Sequence, residues 1–453
     1  MSPLFPNLVV APLLVLALLA GCTTYRPERL DLPAHAEKWR TQGASSEKVG
    51  AFAKRVAESA LDTVAFDPNN GLALSEGELI ALVFNPDLRL ARSRARVAEE
   101  NATFAELWDD PELSFDVLKI TKSVPDSWIV GSALSLTVPV SGRLGVEKKR
   151  AKAEFKAELD RVAEAEWKVQ LDLRDAWVDW SALRLRLQET EWIVSALDSI
   201  VSSTSKLAEG GELLKTEAAL FSIEREGRRA EIAQLKGEVA ESAYQIRALL
   251  GLSPTASVDL IPALTAVRSV SAKAVPDESS VALARLRSEY EVAEQTLLRE
   301  VRKQYPDVTI GPQAENDDGQ SKIGFVGAIP IPILNSNKGG IAKAKAEREV
   351  ARAAFETEYE KIVGRLASLR ARLNGVRARS QTINGSLVPM VDRQVADASK
   401  LVELGEGGTL VLLESLVRAH EAKLKLIDIR AEDSRANNEI RFLIGPSNGK
   451  SNS

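Results

Sequence analysis

Along this chain the spacing of apolar residues changes period in a fixed order, and that order occurs twice. From Phe155 onward, apolar positions alternate at intervals of four and three through Leu159, Val162, Val169, Leu173, Ala176, Trp180, Leu183, Leu187, Val194, Leu197 and Val201. Only Glu166 and Thr190 break the series. Such spacing keeps one stripe of a helix turned toward a partner helix, so its persistence predicts a coiled-coil seam. At 1.5 Å per residue, a helix from about 143 to 205 would be about 95 Å long, far beyond an ordinary globular helix. Ahead of it the period drops to two, in Leu113, Phe115 and Val117 and again in Trp128, Val130, Leu134, Leu136 and Val138. The second half repeats this with Val308 and Ile310, then Ile323, Phe325, Gly327 and Ile329. Two short alternating runs separated by turn residues (121–126, then 315–320) predict a β-hairpin in each half. Strands of this length suit tilted transmembrane barrel strands.

Direct repetition fixes the halves. Ile246-Arg247-Ala248-Leu249-Leu250-Gly251 returns as Ile440-Arg441-Phe442-Leu443-Ile444-Gly445, and Lys206-Leu207-Ala208-Glu209 as Lys400-Leu401-Val402-Glu403, both at an offset of 194 residues. Val138-Pro139-Val140 returns as Ile331-Pro332-Ile333 at 193. The chain therefore reads as a first repeat over 74–251, a connector over 252–279, a second repeat over 280–445 and a tail over 446–453. Each repeat runs helix (75–108; 280–304), hairpin, long helix, glycine turn, returning helix (212–250; 410–444). Pro139 and Gly142, and Pro330, Pro332 and Gly339, punctuate the passage from strand to helix. The long helices end at Glu209-Gly210-Gly211-Glu212 and at Glu403, Gly405, Glu406, Gly407, Gly408 and Thr409, since glycine supplies the left-handed conformation of a helix C-terminus.

The predicted fold class is mainly α with short β-hairpins. Four strands cannot close a barrel, and lipid forbids open strand edges, so membrane strands would require several copies to share one barrel. The long helices would then project as a coiled-coil tube with the glycine turns at its far end.

Composition narrows the function. Aromatic residues are 5% and charged residues 27%, with both signs interspersed, as on solvated helix surfaces. A net charge of −5 gives no footprint for nucleic acid. With only Cys22, His35 and His420, clustered Cys/His metal sites cannot be built, and no phosphate-loop, nucleophile-elbow or zinc-protease motif occurs. No cofactor, metal or enzyme activity is expected.

Residues 8–20 form an apolar run of 13, too short to span a bilayer as a helix and matched to a signal-peptide core. It closes on Leu19-Ala20-Gly21-Cys22, which resembles the bacterial lipobox. This implies a signal peptide over 1–21, acylation of Cys22 and a lipidated N-terminal extension over 22–73. The segment before the apolar run (MSPLFPN) departs from the pattern in having no Lys or Arg. Thr23 after the cysteine resembles the sorting pattern for the outer membrane.

Over roughly 70–445 the chain resembles the outer membrane efflux protein (TolC) family. The resemblance rests on Leu74-Ser75-Glu76 with Leu79 and Asn85-Pro86-Asp87-Leu88, on Ile329-Pro330-Ile331-Pro332-Ile333-Leu334-Asn335 with Lys338-Gly339, on Gly405, Thr409 and Leu413-Glu414, and on Pro389 ahead of the second glycine turn. It implies a homotrimer with a shared barrel in the outer-membrane lipid and a periplasmic α-barrel, docked to a periplasmic adaptor protein and an inner-membrane pump. The alternatives are a lipidated periplasmic adaptor or a pore-free coiled-coil scaffold. Glu209, Glu212, Glu403, Glu406 and Glu414 read either as carboxylate rings at the tube's end or as solvated helix ends. Trp108, Trp128 and Tyr305 read as an aromatic belt or as packing against a neighbour. Trp167, Trp177, Trp180 and Trp192 read as packing between long helices, and His420 as a surface or seam residue.

Overall fold

The computed structural model describes residues 25–59, 66–67, 70–121, 128–264, 280–317, 320–404 and 408–446. The signal peptide, Cys22, residues 122–127 and 318–319 of the hairpin turns, Gly405, Glu406, Gly407 and the tail beyond 446 lie outside these residues, and residues 315–317 and 320, expected in the second turn, are strand. The chain divides into two compact units, which meet in sequence at Gln42 and Gly43. The first contains helix α1 (Leu32–Arg40), started by Asp31, whose side chain accepts from the backbone N–H of Ala34 at 2.9 Å. None of its residues is buried.

The second unit runs α2 (Glu47–Ser59), α3 (Leu74–Phe84), α4 (Pro86–Phe104), β1 (Glu112–Lys119), β2 (Trp128–Val138), α5 (Arg143–Glu209) and α6 (Lys215–Leu249). It continues with α7 (Val281–Arg302), β3 (Val308–Asp317), β4 (Gln320–Ala328), α8 (Lys338–Thr382), α9 (Val388–Glu403) and α10 (Thr409–Ile444). The single helix expected over 75–108 is two. Pro86 disfavours helical geometry at Asn85, which leaves the helix at ψ 130° and caps α4 by accepting from Asp87 N and Leu88 N. Its amide also donates to Leu249 O at 2.8 Å, tying the break to the end of α6.

Helix α5, 67 residues without interruption, is the spine. Of its four–three stripe, Val169, Leu173, Trp180, Leu187, Val194, Leu197 and Val201 are buried and Ala176 and Leu183 half-buried, while Leu159 nearer the sheet is 47% exposed. The two polar residues in the stripe are both satisfied. Thr190 is fully buried and returns its hydroxyl to Arg186 O at 2.9 Å, and Glu166 pairs with Arg92 at 2.7 Å.

Three apolar clusters hold the helices. One joins Val49, Leu72, Ile80 and Leu88 to Leu173, Trp177, Trp180 and Leu250. It also takes in Leu252 and Leu260 after α6, and Trp177 Nε1 donates to Ile261 O at 2.9 Å. A second joins α5 (Ile193, Leu197, Val201) to Phe221 of α6, Ala398 of α9 and Leu412 and Leu416 of α10. A third packs Leu283 of α7 against Ile362, Leu366, Leu369 and Leu373 of α8 and Ile440 of α10. Polar ladders set the helix register. Between α5 and α10 they are Asp175–Asn438, Asp179–Arg435, Arg186–Asp428 and Glu189–Lys423; between α8 and α10, Arg365–Glu439 and Arg372 and Arg379 on Glu432.

The second long helix differs from the first. Between α8 and α9 lies a π-helical turn, Ile383–Leu387, in which Val388 N donates to Ile383 O. Pro389, in the first turn of α9, has no N–H for an α-helical bond.

Candidate functional site

The four strands form one antiparallel sheet in the order β1-β2-β3-β4. The sequence predicts the two hairpins; the β2–β3 pairing that merges them joins residues about 180 positions apart, Ile129 to Asp317 and Val138 to Val308. Pairing lapses at Leu134 and Ser135 opposite Gly311 and Pro312. Proline has no donor, and Gly311 approaches the Leu134 carbonyl so closely that a Cβ there would sit 1.8 Å from its oxygen.

The register sorts the side chains. Side chains opposite one another share a face, and the face alternates along each strand. One face has rows Leu113–Leu134, Phe115–Ser132–Ala314–Ile323 and Val117–Val130, together with Trp128, Leu136, Ile310 and Phe325, with Lys119, Asn316 and Ser321 toward the hairpin turns. The other has Ser114, Asp116, Ser135, Thr137, Thr309, Gln313, Glu315, Asp317, Gln320 and Lys322, interspersed with Leu118, Ile129, Ala133 and Val326. The apolar face is open: Phe115 is 70% exposed, Ile323 89% and Phe325 88%. Among the described residues β1 and β4 each pair on one side only. Trp108, Trp128 and Tyr305 are all more than half exposed. No described helix is long and apolar enough to cross a membrane.

The strand-to-helix passages repeat in detail. Val140 N donates to Val138 O at 2.8 Å around Pro139, and Ile333 N to Ile331 O at 2.9 Å around Pro332, giving equivalent three-residue turns. Pro330 lies just after β4. Gly142, at φ +71°, is the residue before α5. Arg143 then binds Asp307 at 2.5 Å and Asp109 at 2.5 Å, while Ser141 N donates to Asp307, so one guanidinium joins the approaches to β1, β3 and α5. Burial works to raise the Asp307 pKa, but the bonds from Ser141 and Arg143 outweigh it and hold it below the usual range.

At the second passage Gly339 is already the second residue of α8, and the left-handed residues are Ser336 and Asn337, at φ +50° and +51°. Asn337 Nδ2 donates to Glu300 O at 2.8 Å and Glu300 Oε2 at 2.9 Å. Burial pushes the Glu300 carboxyl up, but bonds from Lys303, Asn337 and Arg299 dominate and hold it at about 2. A Cβ on Gly340 would meet Asn337 Oδ1 at 2.5 Å and Glu300 Oε2 at 2.7 Å, so a side chain there would have to displace the Asn337–Glu300 pair. Glu300 and Asn337 escaped the sequence reading because their partnership spans a whole hairpin.

The first glycine turn closes the end of α5. Gly210 caps α5 and Gly211 takes φ +79°, with Glu212 N bonded to Leu207 O at 2.9 Å and Gly211 N to Ala208 O at 3.3 Å. This pair of bonds is a Schellman motif. Glu209 and Glu212 are exposed. Glu403 ends α9, Gly408 precedes α10, and Thr409 is buried with its hydroxyl 3.5 Å from Glu217 of α6. The starts of α6 and α10 are thus brought together. Glu414 is exposed and paired with Arg418 at 2.7 Å, a solvated helix-surface pair.

Of the tryptophans, Trp177 and Trp180 pack edge to face at 6.3 Å within the core, whereas Trp192 is 42% exposed beneath Lys423 and Trp167 lies beneath Arg441. His420 is not a surface residue: it is fully buried.

No protein-family model matches the chain. It is 20% identical over 251 residues to the cobalt-zinc-cadmium resistance protein CzcC of Cupriavidus metallidurans, a match covering 54% of this chain and 59% of that protein. Among solved structures, the outer membrane protein VceC of Vibrio cholerae superposes with a TM-score of 0.69 at 16% identity, over 82% of this chain and 96% of VceC. CusC, described in connection with transmembrane channel formation, gives 0.70 at 13% identity, over 92% and 99%. With the doubled order of helix, paired strands, long helix and returning helix, these likenesses make the fold that of the TolC-type outer membrane efflux channels.

Proposed function

We propose that the chain is one subunit of an outer-membrane duct in a tripartite export system, acting as a homotrimer that receives its cargo from a periplasmic adaptor and an inner-membrane pump. One observation carries this reading: a four-stranded sheet, mainly apolar on one face and mainly polar on the other, with β1 and β4 unpaired on their outer sides among the described residues. Lipid tolerates neither an open strand edge nor a polar face. Joining β4 of one copy to β1 of the next removes the edges, turns the apolar rows to lipid and encloses the polar rows around water. Three such sheets would supply twelve strands. The subunit then opens and closes a path and performs no catalysis.

In this arrangement Cys22 is the acylated anchor. The tips around Glu209–Glu212 and Glu403–Thr409, with Glu414, are the adaptor contact or gate. The likeness to CzcC makes divalent heavy-metal cations the cargo to test first.

Native mass measurement on detergent-extracted membranes, wild type against Cys22→Ala, tests the reading. A trimer in the outer-membrane fraction is expected, with acyl mass missing from the variant. A monomer released without detergent would overturn the shared barrel and favour an adaptor or scaffold. Conductance of the purified trimer in a planar bilayer separates a duct from either.

A further inference from the structure

The chain has two histidines, and His420 sits where its chemistry is least served. It is fully buried on α10, one turn beyond Leu416 of the tip cluster and about 16 Å along the helix from Thr409. Neither Nδ1 nor Nε2 has a hydrogen-bond partner among the described residues. An apolar side chain would fill the same space without two unsatisfied nitrogens, each a cost to packing.

Charges face this region from every helix packed there. From α6, Arg228, Glu231 and Glu224 act on the ring, and from α10 itself Glu421. α5 contributes Glu189, paired with Lys423, and Glu191, paired with Lys236 of α6. On α9, Asp397 and Lys400 flank Ala398 of the tip cluster in sequence.

We propose that His420 is a proton-operated release for the tip: the neutral ring seats α10 against α5 and α6, and protonation unseats it. An imidazolium carries a charge and two N–H donors, for which the closed packing provides no acceptor. Arg228 adds a like charge. In the closed packing Glu224 and Glu231 are held by Arg228 at 2.8 and 2.9 Å and Glu421 by Arg418 at 3.3 Å, so none accepts from the ring, and protonation favours an arrangement in which water can.

The sign follows from the closed state. Burial first, and Arg228 second, push the ring's pKa down to about 4 against the pull of the three glutamates. In the loosened state the ring titrates near its ordinary value of about 6.5. The seat is therefore fully favoured above about pH 6.5 and is lost progressively as pH falls toward 4, by about 100-fold in the closed-to-open ratio across that window. The release is a property of helix packing within one chain and stands apart from whether a trimer conducts.

Hydrogen exchange over 409–425 in the full chain in detergent, corrected for intrinsic rates between pH 7.5 and 4, tests it. Wild type is expected to lose about 100-fold more protection on acidification than His420→Leu. An equal loss in the variant would assign the effect to the ion pairs and overturn the proposal. Should His420→Leu fail to assemble, a His35→Gln chain labelled with [15N]histidine reports the single remaining ring. Titration well below 6.5, coincident with loss of protection, supports the release; an ordinary midpoint overturns it.

Discussion

Glu300 shows how one carboxylate can hold a strand-to-helix passage. It is buried, accepts from three side chains, and is held at about pKa 2. Because the folded value is depressed, its stabilisation is present above about pH 4.5 and is lost as pH falls toward 2, a contribution of about 3 kcal/mol. Glu300→Gln should remove that acid-labile portion, seen as a smaller difference in unfolding free energy between pH 7 and pH 3. Two glycines separate conformational strain from collision. Gly211 and Gly251 are both left-handed, at φ +79° and +73°, but a Cβ on Gly211 meets nothing within 4 Å, whereas on Gly251 it would lie 2.2 Å from Phe84 O. Gly211→Ala should cost about 1 kcal/mol and Gly251→Ala about 3 kcal/mol or more by denaturant unfolding.

Between elements, apolar packing outweighs the charge ladders. Leu366 of α8 is 1% exposed within its cluster, while Arg372 is about half exposed and shares Glu432 with Arg379. Leu366→Ala should destabilise by about 2–5 kcal/mol and Arg372→Ala by at most about 1, since Arg379 stays on the same carboxylate. This division bears on what could be read beforehand. The stripe from Val169 to Val201 was legible because burial leaves a period in the sequence. Glu166 and Thr190 looked like faults in it because their partners, Arg92 on α4 and the Arg186 carbonyl, leave no periodic trace. The break at Asn85 was missed within the helix expected over 75–108, although Pro86 and Asn85 as a cap carry the local signal for it. The burial of His420 was not, because a lone polar residue on a mixed helix face carries no signal of what covers it. At the first tip glycine announced the turn at Gly210 and Gly211, but nothing announced that Phe221 and Leu416 would pack in one cluster.

At the scale of the whole molecule, the two faces of the sheet should respond oppositely to one added charge. Phe325 belongs to the exposed apolar face, and Gly324, its neighbour in sequence, to the polar face with nothing within 4 Å of an added Cβ. If the sheet lies in lipid as proposed, Phe325→Arg should cost about 2–4 kcal/mol and reduce assembly, whereas Gly324→Arg should assemble normally. Equal assembly of both, scored by gel mobility of outer-membrane fractions, would argue against a bilayer around this face.

The π-helical turn at Ile383–Leu387 makes the two long helices unequal in how they tolerate changes of length. A π turn is an α-helix holding one residue too many, with the excess confined to a single wide loop of backbone. Removing Gly385 should let that stretch relax to plain α-helix while α8 and α9 keep their faces against their partners. Removing one residue near Thr190, where α5 is unbroken, has nowhere to be absorbed and would swing every side chain beyond it about 100° around the axis. A deletion scan scored by trimer yield should therefore show one silent window in the second long helix and none in the first, so that of the two arms only one can change length by a single residue and still fit.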